Sequence, residues 1–234
     1  IANERYNGNK GKLIVSMTAP GAIFTPWRDN VDALFHHMMP GQEYGRALIS
    51  LMTGKTTPSG KLPLTLPRVE NEVQFTTAQY PGVDLQSNYT EGHLVDHLWY
   101  KANKDVTPAY VFGYGLSYTS FEYSDIHTVE KDGQVSVSVT ITNTGSYAGK
   151  EIVQLYLTFP ENHTEQPPLQ LRGFDKTALL QPKESQVVTM IMSKREYSMY
   201  CCKKEAFVQA SGSYKVTVGA SSSDLRLSSS FDIQ

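Results

Sequence analysis

The sequence predicts an α/β segment followed by an all-β sandwich, a reading that rests on how the apolar residues are spaced. Up to about Arg68, short apolar runs alternate between strand-like and helix-like patterns, broken by Pro and Gly. From Phe121 onward the apolar runs favour a period of two and are closed by turn residues. Between them lies a polar, aromatic-rich stretch with neither period. The boundaries drawn on this basis are 1–75 for the α/β part, 76–120 for an ordered, aromatic-rich inter-domain segment, and 121–234 for the β-sandwich.

In the α/β part, KLIVSM reads as a strand and TAPGAIFTPW as a Pro/Gly-broken turn region. VDALFHHM, from Val31 to Met38, is too short for its type to be assigned. PGQEYGRALISLMTG, Pro40 to Gly54, reads as a helix with an apolar face of Tyr44, Ala47, Leu48 and Leu51. PSGKLPLTLPR carries three prolines around Leu62, Leu64 and Leu66, so it is extended but a poor central strand. The stretch Asn71 to Thr107 shows no helical or strand period. Its Tyr80, Tyr89, Trp99 and Tyr100 argue for order, because disordered tracts are poor in aromatics.

YVFGYGLSYTSFEYS, Tyr110 to Ser124, holds four tyrosines, two phenylalanines and two glycines. It reads as a rigid joint in which Phe112, Tyr114, Tyr118 and Phe121 pack where the two parts meet, with glycine allowing close backbone approach. Beyond it, QVSVSVTITNTG places Val135, Val137, Val139 and Ile141 on one face. EIVQLYLTF offers Ile152, Leu155, Leu157 and Phe159. SQVVTMIM and SGSYKVTVG follow, and the whole resembles a seven-strand sandwich in sequence. Tyr147, Tyr156, Phe174 and Tyr214 fall mostly within the core alternation.

The charges, 21 basic against 23 acidic, contain no basic block, which argues against a nucleic-acid or acidic-membrane partner. No apolar run approaches the ~18 residues of a spanning helix, and the polar start IANERYNGNKGK, without Met, reads as the interior of a longer or processed chain. The only cysteines, Cys201 and Cys202, are adjacent. A bond between them would be strained, so they read as free thiols, or as one thiol pairing outside the chain. The six histidines show no zinc-binding spacing, and no cofactor or metal is expected. The sequons at Asn88 and Asn162 tilt the reading toward a secreted glycoprotein.

Among carboxylates, Asp29, Glu43, Glu91 and Asp96 sit in site-like surroundings, since sugar hydrolysis needs a facing pair about 5 to 9.5 Å apart. Each has a structural alternative that outweighs it. Glu43 suits the positive end of a helix, Asp29 a turn or cap, and Glu91 in YTEGH a loop brace. Ser59 lacks the strand-to-helix elbow of a serine nucleophile. FGYGLSY could not cradle a phosphate, because aromatics fill the space. Trp27, Trp99 and Tyr114 could stack on a sugar, though packing is the commoner fate of such rings.

Taken in order, TAPGAIFTPW, PGQEYGRAL, GKTTPSGKLPLTLP, YTEGHLVDHLWY, FGYGLSYTSFEYS and LRGFDKTALLQPKES closely resemble the C-terminal part of family 3 glycoside hydrolases. The resemblance implies the second half of an α/β sandwich followed by a fibronectin type III-like domain. It also implies a partner region, a barrel bearing an aspartate nucleophile plus the first half of the sandwich with the glutamate acid/base. Neither catalytic carboxylate is therefore assigned here, and Asp29, Glu43 and Glu91 match scaffold positions. The implied substrate is a terminal β-linked glucoside. β-Xylosidase, N-acetylhexosaminidase, or a non-catalytic carbohydrate-binding or adhesive module are the alternatives. Departures from the family pattern are Leu98 in place of arginine, Lys101 in place of aspartate, and Cys201-Cys202 in place of Trp-Asp.

Overall fold

The computed structural model describes residues 11–163 and 165–234. The polar start of the chain and Thr164 of the Asn162 sequon lie outside them. In the α/β part, β1 (Ile14–Thr18) pairs in parallel with β2 (Ala33–His37), from Ile14 opposite Ala33 to Thr18 opposite His37. VDALFHHM is thus a strand. The crossover includes a single 3-10 turn at Arg28–Asn30 and is tied back by Asp32, which accepts the Leu13 amide at 2.8 Å.

Helix α1 (Tyr44–Met52) is shorter than the Pro40–Gly54 segment, because Gly41 and Gly54 both take positive φ at its flanks. Tyr44 anchors it, with its hydroxyl 2.5 Å from that of Ser16 and its ring edge-on to His37. Leu48 and Leu51 are half-buried, whereas Ala47, expected on the same face, is exposed.

The stretch 71–107 differs from expectation at its end, where α2 (His97–Ala102) forms. Six residues make less than two turns, too few to display a period. The preceding loop is ordered by its own turns: the Asn88 amide reaches Ala78 O at 2.9 Å, and Val83 and Gln86 exchange amide hydrogen bonds. Tyr80 and Tyr89 remain exposed on it, while Trp99 and Tyr100 are half-buried.

The sandwich consists of β3 (Phe121–Lys131), β4 (Gln134–Asn143), β5 (Ile152–Thr158), β6 (Gln170–Lys176), β7 (Ser185–Ser193), β8 (Ser198–Cys201), β9 (Ala206–Gln209), β10 (Gly212–Gly219) and β11 (Leu225–Ile233). One sheet runs β11-β10-β5-β6 and the facing sheet β3-β4-β7, with β8-β9 a separate hairpin. Val135, Val137, Val139 and Ile141 are fully buried between the sheets, as their alternation requires. Full burial of each such side chain contributes about 1.5–3 kcal/mol.

Strand β5 corrects the expected pattern. Val153, Leu155 and Leu157 face the core, not Ile152, and Gln154 and Tyr156 are buried as well. Both faces of β5 are covered, the outer one by the joint. Tyr214 lies in the core, but Tyr147 and Phe174 are exposed. Tyr147 sits in a loop, and Phe174 stands opposite Gln154 on edge strand β6.

Candidate functional site

The site is the seam between the two parts, where three segments converge on the outer face of β5. The first is the extended run 58–68. Its prolines leave a few donors and acceptors, which pair with the aromatic stretch: the Leu62 amide reaches Tyr114 O at 2.8 Å, and the Gly113 amide returns to Leu62 O at 2.8 Å. Leu66 and Tyr110 form a two-way bridge, and Leu66 is buried beneath it.

Lys61 crosses the seam. Its Nζ lies 3.1 Å from Glu151 Oε1, with side-chain exposures of only 11% and 6%. It also donates to Gly115 O at 3.2 Å. The same Glu151 oxygen accepts the Tyr123 hydroxyl at 3.0 Å, and the Glu151 amide donates to Thr177 Oγ1. Burial, followed by the adjacent Glu151 charge, pushes the Tyr123 phenol far up, so it stays a neutral donor.

Gly113, at φ +79°, lets the backbone approach Gln154, whose side-chain amide donates to Gly113 O at 3.1 Å and Ala220 O at 2.8 Å. A Cβ at Gly113 would collide with that carboxamide. Tyr156 donates its hydroxyl to Gln154 Oε1 at 2.6 Å, and the Ser222 amide reaches Phe112 O at 3.0 Å. Of the joint aromatics, Phe112 stacks on His97 at 4.4 Å, Tyr114 leans on Tyr110, and Phe121 packs on the sandwich core. Tyr118 is more open and donates to Leu51 O of α1 at 2.9 Å.

The third segment brings Asp96. Its carboxylate accepts the Thr65 amide at 2.8 Å, the Thr65 hydroxyl at 2.9 Å and the His97 amide at 2.6 Å. Burial pushes this carboxyl up, but the His97 and Thr65 hydrogen bonds together outweigh it and hold the group below its ordinary value. Its backbone takes φ 50°, ψ −126°, a basin glycine enters more readily than other residues. Nearby, Tyr100 donates to Glu72 at 2.7 Å, and burial followed by that bond raises its pKa. Glu72 was not singled out in the sequence, and spacing offers no sign that it meets Tyr100.

The other candidate carboxylates are scattered. Asp29 is exposed, 3.6 Å from Arg28. Glu43 sits at the N-terminus of α1 and pairs with Arg46 at 3.2 Å. Glu91 accepts from Gln79 at 3.3 Å. Among the described residues, no hydrogen bond joins any two of these four. Trp99 is edge-on to Tyr100, Trp27 is half-buried, and Lys101, where the resembled pattern has aspartate, donates to Ser223 at 3.1 Å. Among the described residues no helix is long and apolar enough to cross a membrane, and no group of three or more His, Cys, Asp or Glu could hold a metal.

Comparison with known proteins places this architecture. Residues 4–118 match the model of the glycosyl hydrolase family 3 C-terminal domain, and residues 151–222 that of the fibronectin type III-like domain. The chain belongs to glycosyl hydrolase family 3. It is 36% identical to a probable beta-glucosidase D of Aspergillus niger, over 97% of the chain and 32% of that protein. It is 35% identical to a beta-glucosidase of Bacteroides ovatus, over 94% of the chain and 30% of the relative. A beta-D-glucoside glucohydrolase from Trichoderma reesei superposes with a TM-score of 0.85 at 32% identity, over 95% of this chain and 34% of that one. Beta-glucosidase 3B from Thermotoga neapolitana, in complex with alpha-D-glucose, does so at 0.86 and 37% identity, over 94% and 31%. The chain thus spans about a third of the length of these family 3 relatives.

Proposed function

We propose that this chain is the C-terminal portion of a retaining beta-glucosidase that hydrolyses terminal non-reducing β-D-glucosyl residues. Its own part is to scaffold the reaction without supplying the catalytic carboxylates. The observation that carries this reading is the seam. A buried Lys61–Glu151 pair, a glycine pressed on Gln154 and an aromatic joint weld the α/β part to the sandwich. Such a weld suits a scaffold that must hold distant groups within fractions of an ångström.

The partner is a barrel together with the first half of the α/β sandwich, in cis or as a separate chain. In the double-displacement scheme its aspartate attacks the anomeric carbon while its glutamate protonates the leaving oxygen, and water then releases the sugar with the same glutamate as base. The domain divisions at 75 and 120 belong to this reading, as does secretion as a glycoprotein, which the exposed Asn88 supports.

The test is complementation. The chain alone is expected to leave an aryl β-glucoside intact, and addition of the N-terminal region in trans to restore hydrolysis and comigration on gel filtration. Hydrolysis by the chain alone would overturn the scaffold assignment. Neither association nor gained activity would sink the split arrangement.

A further inference from the structure

The two cysteines stand apart from the seam, at the tip of the β8–β9 hairpin. Cys201 is the last residue of β8 and pairs with Ala206, the first of β9. The Lys204 amide donates to Cys201 O at 3.1 Å, so the turn begins at Cys201. Adjacent side chains on a strand point to opposite faces, but the turn that begins at Cys201 takes Cys202 out of the strand and so out of that alternation. The hairpin behind them is braced by Tyr200 edge-on to Phe207 at 5.4 Å and by the Arg195 guanidinium 4.6 Å over the Phe207 ring. Both thiols are free, Cys202 exposed and Cys201 half-buried.

Neighbouring Cα atoms lie about 3.8 Å apart, whereas a relaxed disulfide places them at least ~4.4 Å apart. Direct closure between Cys201 and Cys202 is therefore strained. One atom inserted between the sulfurs lengthens the bridge and removes that constraint. A dithiol that resists its own disulfide yet can chelate is a ligand set for a soft, thiophilic centre.

We propose that Cys201 and Cys202 form a two-thiol binding site for a trivalent arsenical. With phenylarsine oxide as probe, both S–H bonds are lost, two S–As bonds form, and the oxygen leaves as water, with arsenic remaining trivalent. The site lies where the resembled family carries Trp-Asp, and it does not depend on the glucosidase reading.

The experiment uses the intact, reduced chain. Phenylarsine oxide is expected to add one phenylarsenic group in place of two protons by intact mass and to remove both titratable thiols. The adduct should survive excess monothiol and be released by a dithiol. Cys202→Ser and Cys201→Ser should each bind on the order of 10²- to 10⁴-fold more weakly, as expected when a second, tethered ligand is lost. Cys202→Ser, at an exposed position, suffices if Cys201→Ser fails to fold. Glutathione disulfide should give mixed disulfides by exchange, each releasing one glutathione thiolate. Equal binding by a single-cysteine variant, ready release by monothiol, or a closed 201–202 disulfide as the main oxidation product would each overturn the proposal.

Discussion

The β-sandwich and the α/β part are built to different degrees of self-sufficiency. In the sandwich, an unbroken core runs from Val135 through Leu155 to Val218, all fully buried. In the α/β part, no residue of β1, β2, α1 or α2 is fully buried, and a two-stranded sheet offers little to fold around. Of what is buried there, Thr65, Leu66 and Glu72 lie at the seam with the approach to Gln154, and Ala19 and Thr25 lie in the β1–β2 connection. Within this chain the sandwich closes its own core, whereas the α/β part, read as half of an α/β sandwich, is expected to draw its order from what it docks against.

The comparison breaks most sharply at Lys61. Lys61→Met leaves Glu151 charged, buried and unpaired, which should cost about 3–5 kcal/mol. The double variant Lys61→Met with Glu151→Leu should recover most of it. Equilibrium urea unfolding of the four proteins checks this, and equal additive losses would show that the pair does not couple the parts. Next, Leu155→Ala opens a cavity in the autonomous core at about 2–5 kcal/mol. It is expected to lower the unfolding midpoint of the sandwich and release the α/β part with it, read by hydrogen exchange on both. Protection retained in the α/β part would contradict its dependence.

A smaller effect is expected at Gly113. Gly113→Ala meets both a left-handed backbone and the Gln154 carboxamide, whereas Gly41→Ala has similar φ but open space around it. The first should cost about 1–3 kcal/mol and the second about 1 kcal/mol. Limited proteolysis at the joint should accelerate only for Gly113→Ala. Equal effects at both glycines would leave backbone strain as the whole explanation.

How much of this was legible follows from the range of each interaction. The alternation of β4 is local, and its four apolar residues are buried as read. The α1 helix was legible too, although Ala47 of its expected face is exposed among the described residues. Gln154 carries no apolar mark and Tyr156 reads as part of the core alternation, yet both are buried on the outer face of β5. Only the packing of a distant segment buries them. Lys61 and Glu151, or Glu72 and Tyr100, carry no mark of their pairing, since residues far apart in the chain share no pattern. The joint was readable as a joint because its glycines and aromatics are contiguous. Tyr147 and Phe174 show the converse, since both read with the core alternation and both are exposed.

Asp96 gives the finest test, because its carboxylate and its backbone can be separated. The folded state lowers its pKa below the ordinary 3.8. Its hydrogen bonds therefore add stability that is fully present above that value and is lost as pH falls through the lowered one. Asp96→Asn should remove this contribution, costing about 1 kcal/mol at neutral pH and flattening the acid limb of the stability curve. Asp96→Gly removes the same carboxylate but relaxes the φ 50°, ψ −126° backbone. It should flatten the acid limb equally while costing less at neutral pH. If thermal melting from pH 2 to 7 leaves the acid limb of both variants unchanged, the carboxylate is not what ties α2 to Thr65. If Gly and Asn cost the same at neutral pH, the backbone stores no strain there.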